Sequence, residues 1–107
     1  MKPEIQATIA AYATAIESRS VDNMRRVYPN MTTQQQRGWE QFFETVRNVQ
    51  AHLSIASMEV ANGTADVRVT GSYAYLNNTT GREEQQPVSF RATLRQEGGP
   101  WRILQVR

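Results

Sequence analysis

The sequence predicts an α+β domain, three helices followed by a bent four-stranded antiparallel meander, spanning residues 1–107. Three observations predict it. Thr64 to Leu76 alternates strictly, with Ala65, Val67, Val69, Gly71, Tyr73 and Tyr75 on one face and Asp66, Arg68, Thr70 and Ser72 on the other. The hydrophobic period is helical as far as Val46 and becomes two from Val49 onward. Asn62-Gly63, the strongest short hairpin signal, then joins two such alternating runs.

Pro3 suits the first turn of a helix, and Glu4 suits the positive end of its dipole. Ile5, Ile9, Tyr12 and Ile16 then recur at helical spacing among alanines, which predicts a first helix over residues 3–18. Ser20 caps a short second helix carrying Val21, Met24, Val27 and Tyr28 on one side, and Pro29 ends it. Thr32 with Gln35 has capping-box spacing and opens a third helix with Trp39, Phe42, Phe43 and Val46 on one stripe. That aromatic stripe is the expected cover for the Val/Tyr face of the sheet. Gly38 weakens the helix by about 1 kcal/mol against alanine and points to close backbone approach nearby.

The first strand is predicted from Val49 to Ala61. Val49, Ala51, Leu53 and Ile55 share one parity and Met58 and Val60 the other, the signature of a β-bulge near Ala56-Ser57. It pairs antiparallel with Thr64 to Leu76. The polar stretch NNTTGREEQQ reads as a loose connection, with the third strand starting at Pro87 and carrying Val88, Phe90, Ala92 and Leu94. Glu97 to Pro100 turns the chain into WRILQVR, a short fourth strand with Trp101 and Ile103 on one face and Leu104 and Val106 toward the other.

The totals exclude several classes. Without cysteine there is no disulfide, thiolate nucleophile or thiolate metal site. A net charge of +2, divided evenly between the halves, gives no basic patch for nucleic acid. No run approaches a membrane span, and the start MKPEIQATIAAYATAI lacks the layout of a secretory signal, which leaves a cytoplasmic location as the default expectation and no membrane partner.

The order of elements resembles the nuclear transport factor 2-like superfamily of small cone-shaped α+β domains, in particular compact bacterial members of the SnoaL and ketosteroid isomerase-like kind. The likeness is carried by IAAYATAIESRS (Ile9 to Ser20), VYPNM (Val27 to Met31), WEQFF (Trp39 to Phe43), NGTADV (Asn62 to Val67) and GPWRILQV (Gly99 to Val106), which together span nearly the whole chain. The resemblance implies three helices packed in the concave face of the sheet. It also implies an outer sheet face that forms a homodimer, and use as an accessory domain appended to larger proteins. Enzymes of the superfamily, such as ketosteroid isomerases, scytalone dehydratase and polyketide cyclases, place an acid or base in the cone, and many carry a hairpin before the third helix. Here Pro29 to Thr33 leads almost directly into that helix.

No convergent acid–base set is visible, so no catalytic residue, metal ligand or cofactor is assigned. His52, the only histidine, shares its parity with Gln50 and Ser54 and is read as a surface residue. Asp66 and Glu59 lie on polar parity or beside the bulge, and Asp22 supports the start of the second helix. The pocket-lining candidates for a small apolar ligand are aromatic: Tyr12, Tyr28, Trp39, Phe43, Tyr73, Tyr75 and Trp101. The competing reading is a filled core whose polar tips reach water at its rim. Arg68, Thr70, Arg91, Thr93 and Arg95, with Leu104 and Val106, are the candidates for a dimer face. The functional expectation is a non-catalytic ligand-binding or assembly module, with a small isomerase, dehydratase or cyclase as the alternative.

Overall fold

A computed structural model describes residues 3–107. Three helices, α1 (Pro3–Glu17), α2 (Val21–Val27) and α3 (Thr33–Thr45), precede four strands, β1 (Val46–Ala61), β2 (Thr64–Asn77), β3 (Glu83–Arg95) and β4 (Arg102–Val106). The strands form one antiparallel sheet in the order β1-β2-β3-β4. Side chains from helices and sheet share one core, in which Ile5, Ile16, Met24, Val67, Val69 and Leu94 are fully buried.

The caps fall where the sequence puts them. Ser20 Oγ accepts from the Asn23 N–H at 3.2 Å, and Thr32 and Gln35 form both halves of the capping box. Arg25 then fixes the α2–α3 connection, donating to the Pro29 and Met31 carbonyls and to Gln36 Oε1.

Two bulges bend β1. The predicted one leaves Ala56 unpaired between Ile55↔Val69 and Ser57↔Arg68, so that Ile55 and Met58 both pack against the core. A second lies between Arg47 and Gln50, where Asn48 has φ 54°. It allows Val46 and Val49, three residues apart, both to be buried, and β1 accordingly begins at Val46 instead of Val49. At the hairpin, Asn62 and Gly63 have φ 51° and 76°, the two positive values a two-residue turn of type I′ requires.

Two further expectations are corrected. β3 begins at Glu83, four residues before Pro87, because EEQQ (Glu83 to Gln86) extends the ladder beside Leu76 to Tyr73. Pro87 is tolerated inside it since β4 reaches only from Ala92 to Arg95, leaving that part of β3 an edge. The cover of the sheet is shared, and α1 crosses most of it. Thr8 Oγ1 donates to the Trp101 carbonyl (2.9 Å) before β4, Tyr12 stands edge-on to Phe90 of β3 (6.0 Å), and Glu17 Oε2 accepts from the Ala51 N–H (3.0 Å) on the free edge of β1. The aromatic helix α3 covers only the Tyr73/Tyr75 end. No helix among the described residues is long and apolar enough to cross a membrane.

Candidate functional site in the mouth of the sheet

The sheet register brings Ala51, Tyr73 and Gln86 into one row of the inner face, beside a row of Leu53, Gly71 and Val88. Opposite them α3 presents Gln35, Gly38, Trp39 and Phe42, which follow one another at helical spacing. Between the two lies a cleft of about 270 Å³, lined by Gln35, Gly38, Trp39, Phe42, Tyr73 and Gln86. Trp39 meets Tyr73 edge-on at 5.9 Å and Phe42 meets Tyr75 at 5.1 Å, so aromatic edges and faces form its walls.

Phenol groups supply the polarity at depth. Tyr12 is 2% exposed and Tyr73 is 8% exposed, yet neither hydroxyl makes a hydrogen bond among the described residues. No fully enclosed side-chain oxygen or nitrogen among those residues lacks a partner, so both phenol oxygens touch accessible space. Tyr28 differs: its hydroxyl donates to Gln35 Oε1 at 2.9 Å and accepts from the Val106 N–H at 3.2 Å. Burial pushes the Tyr73 phenol up from its usual 10 to about 12. Burial, with the neighbouring Tyr73 and Tyr28 phenols, holds the Tyr12 proton more tightly still. Tyr12 thus lies within electrostatic reach of both other phenols, and at neutral pH Tyr12 and Tyr73 are donors without acceptors among the described residues.

The aromatic candidates separate into groups. Trp39 and Tyr73 line the cleft, Tyr12 lies within electrostatic reach of Tyr73 and Tyr28, Phe43 is buried behind Trp39 at 5.6 Å, and Tyr75 packs on Phe42. Trp101 does not join them; it is buried beside α1 and lines a different groove with Ala7, Ala11 and Val27. Gly38 faces open space: a Cβ there would have no described neighbour within 4 Å, so the close approach expected at this glycine is absent. Gln86 went unrecognised because its segment reads as loop. Gln35 was visible only as a capping residue, whereas its carboxamide also holds the Tyr28 hydroxyl and, through Nε2, the Val106 carbonyl at 3.2 Å.

His52, Glu59 and Asp66 are exposed on the outer face, and Asp66 accepts from Thr93 Oγ1 at 3.1 Å. No group of three histidines or carboxylates among the described residues stands close enough to hold a metal ion. Arg68, Thr70, Arg91, Thr93 and Arg95 share the outer face by register. Leu104 is the unpaired residue of a bulge between Leu94↔Ile103 and Thr93↔Gln105. That bulge restores Val106 to the inner parity, opposite Ala92, and its side chain packs against the core instead of the outer face.

A helix-lined sheet open at an aromatic mouth is the cone architecture, and comparison with solved structures agrees. The chain superposes on a protein described as a dehydratase of the NTF2-like family from Streptomyces avermitilis, with a TM-score of 0.78 and 12% identity over 97% of this chain and 92% of that one. A ketosteroid isomerase-like protein from Erwinia carotovora gives 0.74 and 19% over 95% and 89%. A protein described as a calcium/calmodulin-dependent protein kinase type II association domain, from Thiobacillus denitrificans, gives 0.71 and 15% over 95% and 90%. The chain therefore has the nuclear transport factor 2-like fold. No family model matches the sequence, and no curated protein matches it.

Proposed function

We propose that this domain is a non-catalytic module that binds a small, mostly apolar ligand in the α3–sheet cleft and assembles as a homodimer through its outer sheet face, as an accessory domain of a larger bacterial protein. The observation that carries the ligand reading is the Tyr73 phenol in the cleft wall, a donor without an acceptor among the described residues whose oxygen touches accessible space, so that a ligand oxygen can accept from it. The ligand chemistry that fits is a planar apolar ring system with a carbonyl, its ring against Trp39 and Phe42 and its oxygen toward Tyr73. The described lining residues include no carboxylate and no imidazole, which supports binding over proton transfer.

The similarity to proteins described as a dehydratase and as ketosteroid isomerase-like favours the second reading, an isomerase, dehydratase or cyclase in which Tyr12 or Tyr73 polarises a carbonyl. Coumarin, a fused-ring lactone, tests the site, with ligand-observed NMR as the readout. Wild type is expected to bind it saturably. Gly38→Phe, which fills open space on an exposed helix position, is expected to abolish binding without unfolding the protein. Tyr73→Phe is expected to weaken it about 2- to 10-fold, the effect of one hydrogen bond. Equal binding by wild type and Gly38→Phe would place the ligand elsewhere. Exchange of an α-proton of a bound ketone with deuterated water, faster than in buffer and lost in Tyr73→Phe, would replace the binding reading with the enzymatic one.

A further inference from the structure

A groove of about 430 Å³, sharing no lining residue with the α3 cleft, lies between α1, the end of α2 and the segment that enters β4. Its α1 wall is the stripe Glu4, Ala7, Thr8 and Ala11, at spacings that keep one helix face together. The Thr8 hydroxyl donates to the Trp101 carbonyl at 2.9 Å, which holds the chain entering β4 against that face, and the two alanines leave room beside it. Val27, Pro100 and Trp101 complete the apolar surface.

Trp101 is 6% exposed, yet its indole N–H makes no hydrogen bond among the described residues. No fully enclosed side-chain nitrogen among those residues lacks a partner, so Nε1 touches accessible space, and Trp101 lines the groove. A buried indole N–H ordinarily has an acceptor. Arg26 and Arg102 also line the groove, and neither makes a hydrogen bond or ion pair among the described residues. Their neighbour Arg25, by contrast, is held by Gln36 Oε1 and by the Pro29 and Met31 carbonyls. Arg102 moreover stands directly across the ladder from Arg95, a like charge whose own partner is Glu97 at 3.0 Å. The side-chain donors of the groove therefore lack acceptors, and Glu4 is its one carboxylate.

We infer that this groove binds a small monocarboxylate with an apolar body. The carboxylate accepts from the Trp101 indole and from Arg26 and Arg102, and the body lies on Ala7, Ala11 and Val27. An ionised carboxylate has lone pairs enough for all three donors, and hydrogen bonds to it are of the strong, charge-assisted kind. The volume falls in the range of small-molecule sites, and its apolar walls with a few polar groups have the composition of one. Glu4 and Ala11 are two turns of α1 apart, about 10 Å, so the groove is long enough to hold one carboxylate away from Glu4. A polyanion such as nucleic acid would meet that acidic charge.

Naphthaleneacetate, naphthaleneacetamide and naphthylmethylamine carry one ring system with an anion, a neutral amide and a cation, and titrating each into the labelled protein tests the site. The chain has two tryptophans, so proton–nitrogen NMR follows two indole N–H signals, assigned with Trp39→Phe. The acetate is expected to move the Trp101 signal downfield and saturably, the amide to bind at least ~10-fold more weakly, and the amine to leave the signal in place. Ala11→Leu, a good helix former that fills the groove from an exposed position, is expected to abolish the Trp101 shift, with circular dichroism confirming the fold. In Arg26→Gln/Arg102→Gln the acetate is expected to lose its advantage over the amide. Gly38→Phe, which blocks the α3 cleft, is expected to leave the Trp101 shift intact. Equal affinity of wild type for acetate and amide, or a preference for the amine, would overturn the inference. So would a preference for the acetate that survives in Arg26→Gln/Arg102→Gln, or a response confined to the Trp39 signal and lost in Gly38→Phe. An unmoved Trp101 signal at saturating acetate would overturn it as well.

Discussion

A Cβ on Gly71 would overlap the His52 carbonyl oxygen and press on the Leu53 backbone, so β1 and β2 reach their pairing distance there only because the position is glycine. Gly38 is the opposite case, exposed on a helix with open space around it. Gly71→Ala is therefore expected to lower stability by about 1–3 kcal/mol, the range for forcing atoms into a packed site. Gly38→Ala is expected to raise it by about 1 kcal/mol through helix propensity alone. Urea denaturation midpoints of the two variants check both signs, and equal shifts in one direction would refute the distinction. The sequence offered no means of telling these glycines apart. Alternation shows which face Gly71 belongs to but not which strand crosses it or how closely, and the helical pattern around Gly38 is silent about what faces it. The phenols follow the same rule: their aromatic character was legible, while the absence of a partner for Tyr12 and Tyr73 among the described residues depends on what the fold brings near.

Elements declare themselves where local chemistry and tertiary packing agree. The capping box at Thr32 and the Asn62-Gly63 turn satisfy backbone groups locally, and both are where the sequence puts them. The bulge at Ala56 was legible because it switches a long alternation. The bulge at Asn48 was not, because Val46 and Val49 are three apart, and Val46 also continues the helical spacing of Phe42 and Phe43. Glu83 to Gln86 has loop composition, yet pairing with β2 supplies its backbone partners, and its charged side chains suit an exposed edge. Two variants probe these local rules. Thr32→Ala should cost about 1 kcal/mol, as for other lost N-caps, measured by thermal denaturation. Deleting Ala56 should be mild by comparison with a parity shift, since it removes only the unpaired residue and leaves Ile55↔Val69 and Ser57↔Arg68 consecutive, with Met58 still inward and Glu59 still outward. Retained cooperative unfolding is the expected result. A deletion variant that no longer unfolds cooperatively would mean that the core needs the bend the bulge gives β1 and not only the register of its pairs.

At the scale of the whole molecule, the helices and sheet meet around a core in which two phenols are kept neutral. α1 is pinned at Thr8 to the strand entering β4, at Tyr12 to β3 and at Glu17 to β1, so it crosses the sheet diagonally and holds Tyr12 near Tyr73. The order of elements along the chain was legible, but this diagonal was not. Its contacts join residues as far apart as Thr8 and Trp101, and the aromatic stripe of α3 looked like the better cover. The consequence is a stability that depends on pH at the alkaline end. An unfolded tyrosine ionises near pH 10, whereas Tyr73 in the folded protein does so only at about 12 and Tyr12 higher still. Between those values the folded state binds protons that the unfolded state has released, so stability is complete below pH 10 and falls above it. Each phenol contributes a loss of up to about 1.4 kcal/mol per pH unit over that window. Tyr73→Phe removes one ionisable group and should flatten the decline from pH 10 to 12, measured as the urea midpoint at each pH. Tyr12→Phe should do the same and extend the protection further. Equal slopes in wild type and both variants would mean that the two phenols ionise as freely in the folded protein as in water, and with that their enclosure between α1 and the sheet would be lost as an explanation of the site.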